Sequence, residues 1–172
     1  MLSMGKYNLN LNGADIEEIT LNKHGDKLEI SAEDATLFDR FVNGYDRLAK
    51  MADEMPDKLD AIEKKFADKE DSDFVRTVSV SGVRVEFCKK AIGIIDDIFG
   101  EGTVKKSFRD TYESIPDFLP DEDMFIRFFD KMIPIMEDIF KRKMERQKKE
   151  SRERMKKYQP QDHKKPQRKA TK

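Results

Sequence analysis

Between Met124 and Phe140 the chain sets Met124, Phe125, Phe128, Phe129, Met132, Ile133, Ile135, Met136, Ile139 and Phe140 in adjacent pairs that recur every three or four residues. Residues at those separations stack on one side of a helix, so the run predicts a helix with a broad apolar face that other elements must cover. Asp121, Glu122 and Asp123 precede it, where the positive end of a helix favours acidic groups. Pro134 lies inside the pattern and predicts a kink, because proline removes an amide donor from the helix ladder. Such a face can be core, or it can be a Met- and Phe-rich surface that repacks around apolar partners. Phe125, Phe128, Phe129, Met132, Ile135 and Met136 are therefore candidate partner-binding residues, weighed against a plain core role.

Upstream, two further helical patterns supply what that face needs. Leu37, Phe38, Phe41, Tyr45, Leu48, Met51 and Ala52 make one stripe, Pro56 interrupts it, and Leu59, Ile62 and Phe66 continue it. Ser31 followed by Asp34 reads as a capping start for this helix. From Asp71 to Phe99 two patterns compete. Val78, Val80, Val83, Val85 and Phe87 alternate in part, as a strand pair around Ser81-Gly82 would. Phe74, Val78, Ser81, Val85, Cys88, Ile92, Ile95 and Phe99 step by four and three without a break, and the longer pattern favours helix. Gly100 and Gly102 supply a stop. A short helical turn is expected at Lys105 to Asp110, with a connecting loop through Ile115, Pro116, Leu119 and Pro120.

The first thirty residues alternate differently. Tyr7, Leu9 and Leu11, then Ile16 and Ile19, then Leu28 and Ile30 read as two or three short antiparallel strands, separated by Asn12-Gly13 and His24-Gly25-Asp26. A sheet this small is marginal alone and should pack on a helix or add to another subunit's sheet. The expected fold class is thus mainly α (α+β): an N-terminal β element over 1–30, a helical body over 31–143, and a basic tail over 144–172 that frays into disorder.

Charge divides the chain in the same place. From Lys141 to Lys172 there are 15 Lys plus Arg and 4 acidic residues, so a net charge of −1 conceals an acidic body and a strongly basic end. One subunit's basic end could meet the next subunit's body, which suggests head-to-tail self-association of the kind that builds spirals. The basic end could also contact nucleic-acid phosphates, although Tyr158 is its only aromatic and base stacking has little to work with.

Residues that carry chemistry are sparse. Cys88 is the single cysteine, which rules out an intrachain disulfide and a cysteine-built metal site; it lies on an apolar stripe, where cysteine acts as a small hydrophobe. His24 and His163 have no neighbours at ligand spacing. Asp96-Asp97, Asp71 with Asp73, and Glu122 with Asp123 could do acid/base work, but stretches this charged read as solvated faces. Phe99-Gly-Glu-Gly-Thr103 lacks the Gly-Lys-Ser/Thr ending of a phosphate loop. The expectation is a protein without enzymatic activity, cofactor or metal. No apolar run reaches the roughly 20 residues of a membrane span and no signal-peptide core opens the chain, so a cytoplasmic protein without membrane contact is expected.

Ile98-Phe99-Gly100-Glu101-Gly102-Thr103, followed by Phe108-Arg109-Asp110 and then Phe125, Phe128-Phe129 and Met132-Ile133-Pro134, resembles the small tail assembly chaperone-like proteins of phages and prophages of Gram-positive bacteria. The resemblance covers about Ile92 to Ile139, with Phe99, Gly100, Glu101, Gly102 and Thr103 as its structural signature; the long basic end and the stretch Tyr112 to Asp123 depart from the pattern. It implies a protein of the bacterial host cytoplasm that binds the tape measure protein and keeps it soluble while tube subunits polymerise around it, with the tail tube protein as a second candidate partner. The competing reading is a nucleic-acid-associated regulator that uses the basic C-terminal end.

Overall fold

The structure, a computed structural model, describes residues 16–67 and 73–158. It is mainly α with a small β element. Strands β1 (Ile16–Thr20) and β2 (Lys27–Ser31) form an antiparallel pair in which Ile19 faces Leu28 and Ile16 faces Ser31. Helices α1 (Leu37–Asp53), α2 (Met55–Phe66), α3 (Asp73–Phe99), the short α4 (Thr103–Ser107) and α5 (Arg109–Ser114), and the long α6 (Glu122–Tyr158) follow. The possible strand at Tyr7 to Leu11, the turn at Asn12-Gly13 and residue Asp71 lie outside the described residues.

The hairpin turn follows from its residues. Asn22 accepts from the amides of His24 at 2.9 Å and Asp26 at 3.2 Å, while Gly25 takes φ +82°, a conformation that L side chains rarely adopt. Alternation then buries Leu28 and Ile30 beneath the sheet. The pair packs on the helical body, and the turn is tied to α4 and α5 by Asn22 Nδ2 donating to the Lys106 carbonyl at 2.7 Å, Arg109 meeting Asp26 at 3.2 Å, and His24 meeting Asp110.

The first helix starts later than Ser31 suggests. Ser31 is the last residue of β2 and its backbone is committed to the ladder opposite Ile16, so it cannot also open a helix. Asp34 does the ordering instead, accepting from the Thr36 amide at 2.9 Å and hydroxyl at 2.8 Å, and α1 begins at Leu37. At Pro56 the expected interruption is a full junction: α1 ends at Asp53, and Pro56 sits in the first turn of α2, where its missing N–H leaves no gap.

Residues 73–99 form one helix, as the longer pattern indicates. Its two halves differ. Cys88, Ala91, Ile94, Ile95, Ile98 and Phe99 are buried, whereas Phe74, Val75, Val78 and Val85 lie exposed on the half that projects alongside α2. Gly100 and Gly102 take φ +107° and +81° and break the helix. The Asp96 carboxylate then accepts from the Gly102 amide at 3.2 Å, and Thr103 donates its hydroxyl to the Gly100 carbonyl at 2.7 Å. The Phe-Gly-Glu-Gly-Thr signature is thus a chain reversal that feeds α4; Phe99 anchors it in the core and Glu101 stands in solvent. The expected single turn after it is two short helices, α4 and α5.

Asp121 opens α6 by accepting from the Met124 amide at 2.9 Å. The helix passes Pro134 and Met144 and runs to Tyr158; residues 159–172, with His163, lie outside the described residues. Its stripe Phe125, Phe128, Phe129, Met132, Met136 and Ile139 meets α1 and α3 in the core. Rings from three helices interlock there, with Phe41 at 6.0 Å from Phe99, Phe128 at 6.0 Å from Phe99, and Tyr45 at 5.9 Å from Phe129 between centroids. Edge-on pairs such as Phe128–Phe99 and Tyr45–Phe129 add about 0.5–1.5 kcal/mol each beyond the area they bury.

Candidate helix-binding groove

Five of the six candidate partner-binding residues are used by the core. Phe125, Phe128, Phe129, Met132 and Met136 are at most 8% exposed, and Ile135 is half-buried, so the stripe that looked adaptable is the inner face of the bundle. Displacing those side chains would cost the fold its centre, so none of the five is free to repack around a partner. What α6 leaves open is the neighbouring face, where Ile126 is 58% exposed and Ile133 half-buried.

That face borders a groove of about 580 Å³. Tyr45, Leu48, Ala49 and Ala52 of α1 and Met55, Pro56 and Leu59 of α2 form one wall, Phe87 of α3 contributes to the floor, and Phe125, Ile126, Phe129 and Ile133 of α6 form the opposite wall. It exists because α2 leans on α3 rather than closing against α6: no residue of α2 is fully buried, and its apolar positions Met55, Leu59, Ile62 and Phe66 are only half covered. Two alanines, Ala49 and Ala52, keep the α1 wall low.

The polar groups at the groove carry one sign. Asp60, Glu122 and Asp130 line it, and among the described residues no basic one does. Glu122 meets Arg84 through Oε2 at 3.2 Å, while its Oε1 is buried and accepts no hydrogen bond within the described residues. An unmet buried carboxylate oxygen is costly, and a donor brought by an occupant would relieve it. Near it, burial pushes the Cys88 thiol up to about 11, with the charges of Glu122 and Asp121 adding to the effect. That thiol is inert as a nucleophile at neutral pH.

Among the described residues, the acidic groups singled out from sequence have structural roles or face solvent. Asp96 caps α4, Asp97 meets Arg47 at 3.7 Å, and Asp123 is exposed. His24 pairs with Asp110, whose carboxyl is held below its ordinary range by hydrogen bonds from Lys23 and then His24. Among the described residues no three potential ligands gather as a metal site, and no helix is long and apolar enough to cross a membrane. Of the groove residues, sequence reasoning named Phe125 and Phe129 as candidate partner contacts and Tyr45, Leu48, Ala52, Leu59 and Ile133 only as helix stripe, and missed Ile126 altogether. Ile126 is off the core stripe, between Phe125 and Arg127, and an isolated apolar residue in that position was the available signal.

No family model, no curated protein and no solved structure matches this chain.

Proposed function

We propose that the protein holds an amphipathic helix of another protein in the groove between α1, α2 and α6, and that it does so as a tail assembly chaperone of a phage or prophage acting on the tape measure protein. The observation that carries the reading is the groove itself: apolar walls on three helices, a width left by α2, and, among the described residues, carboxylates as the only charged lining. Helix-in-groove recognition needs an apolar trough for side chains at steps of three and four, with polar margins that meet the flanks of the guest. Asp60, Glu122 and Asp130 select a guest whose flanks carry Lys or Arg.

The narrower identity rests on the resemblance around Ile98 to Thr103 and Phe125 to Pro134. A tape measure protein presents long amphipathic helices, and a chaperone for it needs no nucleophile, metal or cofactor; binding and release suffice. The reading places the protein in the bacterial host cytoplasm and makes the tail tube protein a further possible partner. Co-expression with the large helical protein encoded downstream tests it. The partner should become soluble and co-purify with the wild type, and should stay insoluble with Ile126→Glu. A partner that stays insoluble with both overturns the reading.

A second reading has an observation of its own, the basic second half of α6. A regulator that used it on nucleic acid would bind with an affinity that falls steeply with salt, and its binding would be indifferent to Ile126.

A further inference from the structure

From Lys141 to Tyr158 helix α6 carries ten basic and three acidic residues, a net +7, and its only uncharged residues are Met144, Gln147, Ser151, Met155 and Tyr158. Those five are spaced three or four apart. At about 100° per residue they fall within an arc of about 80°, so a charged helix carries one neutral seam. The seam does not begin at Met144: Phe140, Ile133 and Ile126 lie on the same face, one or two turns apart, and Ile126 and Ile133 are the α6 wall of the groove. Exposure is high along it, 58% at Ile126, 46% at Phe140, 68% at Met155 and 86% at Tyr158.

The two halves of this face are oppositely charged. Residues 121–140 carry six acidic and two basic residues, against the +7 of 141–158. Because α6 is one continuous helix, its second half cannot reach the groove of its own chain; each half is the complement of the other half on a second copy. The groove segment Glu122–Ile133 and the seam segment Gln147–Tyr158 are each about 18 Å long.

We propose that two copies of the chain pair through antiparallel α6 helices, each placing its basic second half in the groove of the other. In this register Ile126 faces Tyr158, Ile133 faces Ser151 and Phe140 faces Met144, so the spacing of the seam fits itself under a two-fold axis. In the same register Arg154 comes level with Asp130 of the groove. The contact is isologous and closes at two subunits, unlike an open head-to-tail series. Parallel pairing would set +7 beside +7 and is disfavoured by charge. The proposal rests on the reading of the groove as a helix-binding site and names its occupant when no client is present: client and second copy compete, and client binding separates the pair.

Sedimentation velocity on the full chain across a range of salt tests it. The wild type should be a reversible dimer at low ionic strength that weakens as salt rises. Met155→Glu with Tyr158→Glu removes two seam contacts and should raise the dissociation constant at least about tenfold. Arg152→Gln with Lys156→Gln changes net charge equally but lies off the seam, and should raise it no more than about threefold. For orientation, Ile126→Cys chains mixed with Tyr158→Cys chains should form a mixed disulfide on mild oxidation, while neither variant bridges to itself; the native Cys88 is buried and stays out of the reaction. A wild type that is monomeric at all concentrations, seam and control variants that weaken association equally, or Ile126→Cys chains that bridge to one another would each overturn the pairing. Dimerisation without client binding removes the proposed function and leaves the pairing intact, and client binding by a permanent monomer does the reverse.

Discussion

Replacing Gly44 by alanine should destabilise the protein, although alanine is the better helix former. Gly44 lies mid-way along α1 and is buried, and a Cβ built on it would stand 2.4 Å from Ile98 Cδ1, 2.8 Å from Ile98 Cγ1 and 3.2 Å from Ile94 Cγ2. Ile98 and Ile94 are both 2% exposed, and the cleft of about 170 Å³ that they line with Gly44 is where a displaced Ile98 would have to go. Clearing Cγ1 requires a change at χ1, which is stiff in a β-branched residue on a helix. Propensity favours Gly44→Ala by about 1 kcal/mol. Overpacking a core position costs about 1–3 kcal/mol, and contacts this short belong at the upper end. The net expectation is a loss of about 1–2 kcal/mol, or about 2–8 °C in the thermal midpoint for a chain of this size. Gly93→Ala on α3 is the control, since nothing lies within 4 Å of its added Cβ and only the propensity gain remains. Thermal and urea unfolding followed by circular dichroism should place the two variants on opposite sides of the wild type. If Gly44→Ala equals or exceeds the wild type in stability, α1 and α3 do not approach at Gly44 as described.

Phe128→Ala should cost about 3–5 kcal/mol by opening a cavity among Phe41, Phe99 and Phe129, whereas Ile126→Glu should leave the unfolding midpoint within about 0.5 kcal/mol of wild type; denaturant titration of both separates core from groove. Gly102→Ala, at φ +81°, should lose about 1–2 kcal/mol by forcing a side chain into left-handed backbone, read by the same titration. Asp26 is held below its ordinary range by the hydrogen bond from Asn22 and then by Arg109, and Asp110 by Lys23 and then His24. Since folding lowers both, their stabilisation is present above the unfolded carboxyl range and is lost as pH falls through the folded values. Acid unfolding should therefore be less steep in Asp26→Asn and Asp110→Asn, and unchanged steepness in both would remove the turn-to-helix contacts from the account.

The α elements were legible in the sequence because their apolar spacing is long and regular. The pattern from Phe74 to Phe99 outweighed the β-branched valines, and the bundle packs its C-terminal half as that pattern requires. Ser31 misled because a capping signal is local, and the strand that claims Ser31 is set by Ile16, fifteen residues away. The Phe and Met stripe was legible as a helix face, but its destination was not: one face cannot reveal which other faces exist to cover it. The groove depends on α2 standing away from α6, a tertiary fact carried by Ala49, Ala52 and the Pro56 junction together. The neutral seam of α6 was present in the sequence all along, obscured by a basic composition that reads as tail.

The most direct test of the central claim is a fluorescence titration of the full chain with a labelled amphipathic helical peptide that bears leucines on one face and lysines on its flanks. The account requires saturable binding, weakened at least about tenfold by Ile126→Glu in a variant whose circular dichroism and unfolding midpoint match the wild type, with little binding of the same peptide carrying glutamates in place of lysines. Equal affinity of wild type and Ile126→Glu for the lysine peptide would contradict it, because the peptide would then be held by surface charge and not by the groove.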